Sequence, residues 1–142
     1  MLRWYGEPEA TGLMKASVLR PDGGALADVS GEERVFWFEH DTGTETLAAL
    51  AQKAAWYNGA TSWNKVVDRV DWRQALLIEL TKPGREANLH AALSQSGFKF
   101  TIATATTGRS ADPLDAIWQV AGDPPGHFRT LAQLPFVPKD RR

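Results

Sequence analysis

The segment Arg34 to Asp41, RVFWFEHD, constrains the fold more than any other stretch of the chain. Its centre is β-branched and aromatic, and turn-prone residues bracket it, Ser30-Gly31-Glu32-Glu33 before and Thr42-Gly43 after; it therefore reads as a strand. Side chains alternate along a strand, which puts Val35 and Trp37 on one face and Phe36 and Phe38 on the other. Both faces are apolar. A strand of that kind has to be covered on both sides, so it predicts a central position in a sheet.

The rest of the chain supplies the partners. Residues 1–7 and 15–20 (KASVLR) are strand-compatible, and the second runs into Pro21-Asp22-Gly23-Gly24, which predicts a turn, with a Gly/Asp/Ser-containing connection over residues 23 to 33. Thr44 to about Asn58 carries Leu47, Leu50, Ala51 and Ala54 at helical spacing. Thr42-x-x-Glu45 predicts a capping box at its start and Gly59 its stop. Gln74 to Leu80 (QALLIEL) reads as a buried strand, Arg85 to Gln95 as an amphipathic helix ending at Gly97, Lys99 to Thr106 as a strand, and Ala116 to Val120 as a further short one. The order strand, strand, strand, helix, strand, helix, strand predicts an α/β domain with one mixed central sheet flanked by helices. With 142 residues, the expectation is a single domain, residues 122–142 forming an extended C-terminal segment with a basic tip at Lys139, Arg141 and Arg142.

Composition narrows the chemistry. There is no cysteine, which removes disulfides, thiol catalysis and zinc ribbons and leaves carboxylates and three histidines as side-chain metal ligands. His40, His90 and His127 have no metal-ligand spacing. No apolar run is long enough to span a membrane, and the N-terminus lacks the basic-then-apolar pattern of a signal peptide, so the chain is expected to be cytoplasmic with no membrane partner. Sixteen basic against seventeen acidic residues give a net charge of −1. That argues against a surface that grips nucleic acid as a whole, while leaving room for a local basic groove.

Glu39 and Asp41 lie two apart at the end of the most apolar strand, hence on one face and about 6.6–7 Å apart. Like charges so placed need a compensating cation. If the preceding strand pairs antiparallel with this one, Asp22 lies near the Glu39 end, and three carboxylates from two strands make an oxygen site suited to Mg²⁺ or Mn²⁺. Lys53, with Tyr57 one turn on, sits at the edge of the next helix's apolar face, where it can lean over the strand end and meet a phosphate. Each residue also has a plainer reading: Asp22 as a turn residue, Asp41 as a helix cap, Lys53 as a solvated surface lysine. Trp56, Trp63 and Trp72 read first as core packing and second as a base-stacking platform.

Arg20-Pro21-Asp22, the run Phe36 to Glu45 (FWFEHDTGTE), and Leu47, Leu50, Lys53 and Tyr57 together resemble the core signature of the actinobacterial replication-relaxation proteins. Leu76 to Leu80 followed by Arg85-Glu86, the run Ala103 to Thr106, Trp118 and Leu131-Ala132-Gln133-Leu134-Pro135 are similar to the same family, so the likeness extends over nearly the whole chain. The resemblance implies a restriction-endonuclease-like core of the PD-(D/E)XK superfamily, a mixed sheet flanked by helices. Asp22 matches its first acidic position and Glu39 its second. Where that superfamily usually has a lysine two residues later this chain has Asp41, and Lys53 is the candidate for a migrated lysine. Such proteins usually begin with a winged-helix DNA-binding domain, whereas here Met1 opens almost on the first strand.

Two functions follow as expectations. One is a metal-dependent nuclease-like domain acting on DNA in plasmid or phage replication or mobilisation, with Asp22, Glu39 and Lys53 catalytic and Asp22, Glu39 and Asp41 holding Mg²⁺ or Mn²⁺. The other is a catalytically inactive module of the same fold that binds DNA or a partner protein. In either, DNA binding by this chain alone is expected to be weak and drawn from Lys53, Lys65, Arg69 and the 139–142 tail, leaving room for a separate DNA-binding domain or replication protein as partner.

Overall fold

The computed structural model describes residues 2–6, 22–29, 32–59, 74–94, 101–110 and 112–135. Seven strands form one sheet in sequential order: β1 (Leu2–Gly6), β2 (Gly23–Val29), β3 (Glu32–Asp41), β4 (Gln74–Leu80), β5 (Thr101–Thr106), β6 (Trp118–Val120) and β7 (Phe128–Arg129). Helix α1 (Leu47–Gly59) joins β3 to β4 and α2 (Pro83–Leu93) lies between β4 and β5. The β3/β4 and β4/β5 pairs are parallel and all the others antiparallel, so the sheet is mixed. Parallel neighbours need a long crossover, which the helical segments provide. Among the described residues no helix is long and apolar enough to cross a membrane.

Strand β3 is internal, between β2 and β4, as its two apolar faces require. On one face Val35 and Trp37 meet Leu50 and Ala54 of α1, Leu89 and Leu93 of α2, and Leu76, Ile78, Leu80 and Ile102 from the neighbouring strands. On the other face Phe36 joins Leu77, Trp118, Leu131 and Leu134 over a floor of alanines from β2, β4 and β5. These small residues let an irregular layer approach the sheet closely. Hydrogen bonds tie that layer down, among them Arg34 Nη1 to the Ala132 carbonyl at 3.1 Å, Trp118 Nε1 to the Pro113 carbonyl at 2.9 Å and Thr101 Oγ1 to the Pro135 carbonyl.

Three local expectations are corrected. Gly23 and Gly24, expected in a turn, open β2, and residues 25–29 continue it where a connection was expected. Each glycine is paired on both sides, Gly23 with Gly6 and Phe38, and Gly24 with Tyr5 and Trp37. Ladder bonding by two flanking strands overrides the glycines' weak strand preference, and a glycine admits the close approach of its neighbours. Second, α1 begins at Leu47 and is capped by Thr46, not by a Thr42/Glu45 box. The Ala49 N–H donates to Thr46 Oγ1 at 3.0 Å and the Leu50 N–H to the Thr46 carbonyl at 3.1 Å, while Glu45 turns instead to Lys53. Third, α2 starts at Pro83, whose fixed φ suits a first helical position.

The β6 strand is confined to residues 118–120, and a two-residue β7 follows the Pro124-Pro125-Gly126 break. Residues 15–20, Trp63, Lys65, Arg69, Trp72, Gly97, Phe136 and the 139–142 tip lie outside the described residues, as do the side chains of Trp56 and Tyr57.

Candidate functional site

The parallel strands β3 and β4 end together, Asp41 paired in register with Leu80, and polar side chains gather at that end. Ligands of open α/β sheets commonly bind outside the carboxyl ends of parallel strands. Glu39 and Asp41 share the face of Val35 and Trp37, toward the helices, and both are buried, at 5% and 1% exposure. Asp22 precedes β2, one residue beyond the Gly23–Phe38 pair, and so stands opposite Glu39. Its N–H donates to the Phe38 carbonyl at 2.9 Å and its Oδ2 accepts from the His40 N–H at 2.8 Å. Asp22 is therefore fixed on the end of β3 while remaining exposed to solvent.

Lys53 projects from α1 toward the same point. Its Nζ lies 2.9 Å from Glu45 Oε1 and 3.9 Å from Glu39 Oε2. Partial burial works against the ammonium, but it is outweighed by the Glu45 hydrogen bond and the negative charges of Glu39, Glu45 and Asp22, so Lys53 titrates above the ordinary lysine value. Asp22, Glu39 and Lys53 thus occupy one electrostatic neighbourhood, although they are separated in sequence and come from the residue before β2, from β3 and from α1.

Asp41 is placed differently. Arg85, in the first turn of α2, forks onto it, Nε to Oδ2 at 2.8 Å and Nη2 to Oδ1 at 3.1 Å. The Gly43 N–H also donates to Oδ1, at 3.3 Å. The same Arg85 Nη2 donates to the Glu45 carbonyl at 2.9 Å. The result is a continuous chain in which Asp41 holds Arg85, Arg85 holds the loop at Glu45, and the Glu45 carboxylate holds Lys53 beside Glu39. Neither Arg85 nor Glu45 stood out in the sequence as a site residue. The fork joins residues 44 apart, and nothing local in either segment announces the other.

A second buried network lies farther along the sheet. Thr104 Oγ1 donates to Glu86 Oε2 at 2.6 Å, and Arg109 Nη2 pairs with Glu86 Oε1. His90 Nε2 lies 2.7 Å from Thr104 Oγ1, and since that hydroxyl already donates to Glu86, the imidazole is the donor. Burial pushes His90 down from the ordinary histidine value; Glu86 opposes the shift and Arg109 adds to it. The one sequence signal was the spacing of Glu86 and His90, one helical turn apart on α2. On the opposite face of the sheet His40 Nδ1 pairs with Glu79 Oε1 at 2.9 Å. His90 and His40 therefore have structural partners, a role their spacing in the sequence did not suggest.

Compared with models of known families, with curated proteins and with solved structures, the chain has no significant match.

Proposed function

We propose that this chain is a metal-dependent nuclease-like domain of the replication-relaxation type, with a PD-(D/E)XK-like core, that hydrolyses phosphodiesters in DNA during plasmid or phage replication or mobilisation. The observation that carries the reading is the convergence of Asp22, Glu39 and Lys53 at the end of β3, with Lys53 Nζ 3.9 Å from Glu39. The antiparallel β2/β3 pair, followed by α1 and the parallel β4, is compatible with such a core.

The donor set fits a hard divalent cation. Mg²⁺ is ordinarily held by one or two carboxylates, with waters and substrate phosphate completing its shell. Asp22 and Glu39 supply such a pair from adjacent strands, whereas Asp41 becomes a donor only if Arg85 releases it. A metal bound there would polarise a phosphoryl oxygen and acidify a coordinated water. Lys53 contributes a positive charge beside Glu39, aimed at the non-bridging oxygens of a phosphate. Glu45 fixes where that charge sits.

The non-catalytic alternative is favoured by one specific feature. Two cations beside the carboxylates are already matched, Arg85 by Asp41 and Lys53 by Glu45, which lowers the charge available to a transition state. Activity is therefore expected to be slow. In Mn²⁺, on plasmid and single-stranded substrates, the wild type should nick, and Asp22→Ala, Glu39→Ala and Lys53→Ala should each fall by about 10²–10³-fold. Calorimetry should show Mn²⁺ binding that Glu39→Ala abolishes. If the wild type converts nothing beyond the three variants while still binding DNA, the enzymatic reading fails and the binding module stands.

A further inference from the structure

The acidic site poses a problem for a polyanionic ligand. Asp22, Glu39 and Glu45 all surround Lys53, and they repel a nucleic-acid strand unless an uncommitted cation stands at the rim. Among the side chains the structure describes such cations are scarce. Lys53, Arg85, Arg109 and Arg129 each pair with a carboxylate, and Arg34 is engaged at the Ala132 carbonyl. Among these side chains Lys82 differs: no carboxylate of the described residues pairs with it.

Its position is specific. Lys82 follows β4 by two residues, at the same end of the sheet as Glu39 and Asp41, and it is exposed. Its side chain lies across Gly43 in the loop between β3 and α1. A Cβ added to Gly43 would sit 2.9 Å from Lys82 Cε and 3.1 Å from Nζ, so a larger residue there would displace the lysine. Gly43 also holds φ at +87°, a conformation glycine adopts without penalty. The glycine thus serves two purposes, turning the loop and seating the lysine stem. The same loop carries the exposed residues Thr42 and Thr44, whose hydroxyls lie 3.1 Å apart. A lysine with its stem packed in this way presents its ammonium as a localised point charge, the form in which lysine contacts phosphate.

We infer that Lys82, seated on Gly43, contacts a backbone phosphate of a nucleic-acid strand that passes the Asp22–Glu39 site. This rests on the reading of that site as directed at phosphodiesters, and it adds the residue that offsets the acidic surroundings. The contact is to backbone and carries no base preference.

The test is fluorescence anisotropy of a labelled duplex against salt, in EDTA, with wild type, Lys82→Gln, Lys82→Arg and Gly43→Ala. Removing one phosphate contact should reduce the slope of log K against log salt by about 0.9 in Lys82→Gln, while Lys82→Arg keeps the wild-type slope. Gly43→Ala should weaken binding in the same direction as Lys82→Gln. An unchanged slope in Lys82→Gln, or no duplex binding by the wild type at low salt, overturns the inference. The nuclease reading fails separately. A wild type that loses slope through Lys82→Gln yet nicks nothing in Mn²⁺ keeps the contact and loses the enzyme. A wild type that nicks while Lys82→Gln keeps its slope does the reverse.

Discussion

Asp41 is 1% exposed, and a carboxylate so deeply buried is stable only if its charge is met. Arg85 meets it with a two-point fork, so removing the arginine strands a buried charge. Arg85→Ala should cost about 3–5 kcal/mol in urea unfolding, whereas adding Asp41→Ala to it should recover part of the loss. Additive losses in that cycle would mean that the two residues act independently. His90 makes a second residue-scale prediction. Burial lowers its proton affinity in the folded state, so below pH 6.5 the unfolded chain takes up the proton more readily. The contribution is present above that pH and is lost as pH falls below it. His90→Asn should narrow the stability difference between about pH 8 and about pH 5 relative to wild type. An identical pH dependence in the two proteins would remove His90 from the account.

At the scale of an element, the start of α1 decides where Lys53 points. The cap at Thr46 sets the first turn, and Lys53 then falls on the flank that faces Glu39 and Glu45. Thr46→Ala should cost about 0.5–2 kcal/mol, while Thr42→Ala, whose hydroxyl among the described residues meets that of Thr44, should stay within about 0.5 kcal/mol. The reverse ranking in thermal or urea unfolding would restore Thr42 as the cap. Strand β2 matters for a similar reason. It begins at Gly23, beside the end of β3, and this brings Asp22 to Glu39; a turn at 21–24 leading directly into β3 would have put Asp22 at the far end of that strand.

At the scale of the whole molecule, the two faces of the sheet are covered by different means. Helices α1 and α2 pack on one, and the segments around Ile117, Leu131 and Leu134 pack on the other. Leu131 is only 4% exposed although it belongs to a three-residue 3₁₀ turn. Leu131→Ala should therefore cost about 2–5 kcal/mol, the same range as Leu50→Ala beneath α1. A near-neutral Leu131→Ala in equilibrium unfolding would mean that the second face is solvated, and that the apolar pattern of Phe36 and Phe38 has another cause.

The sequence alone determined the features that depend on local alternation and helical period. The two apolar faces of Arg34 to Asp41 required a central strand, QALLIEL a buried neighbour and the Leu47/Leu50/Ala54 spacing a helix between them, because burial is written into which side chains are apolar and at what interval. The proximity of Asp22 to Glu39 depended on where the second strand begins: antiparallel pairing of a strand that ends before Asp22 would have set this residue at the start of β3, and only a strand that opens at Gly23 sets it beside the end. Only the tertiary structure decided that Gly23 and Gly24 are strand residues, since a glycine's place in a ladder depends on partners contributed by β1 and β3. The same holds for charge. Asp41 and Lys53 both read as groups free for a metal or a phosphate, and their neighbours Arg85 and Glu45 are assigned by register, by crossover and by where a helix begins. Hydrophobic burial is proportional to area and carries a periodic signal along the chain, whereas an ion pair depends on two atoms meeting within about 3 Å, and only the folded backbone brings them there.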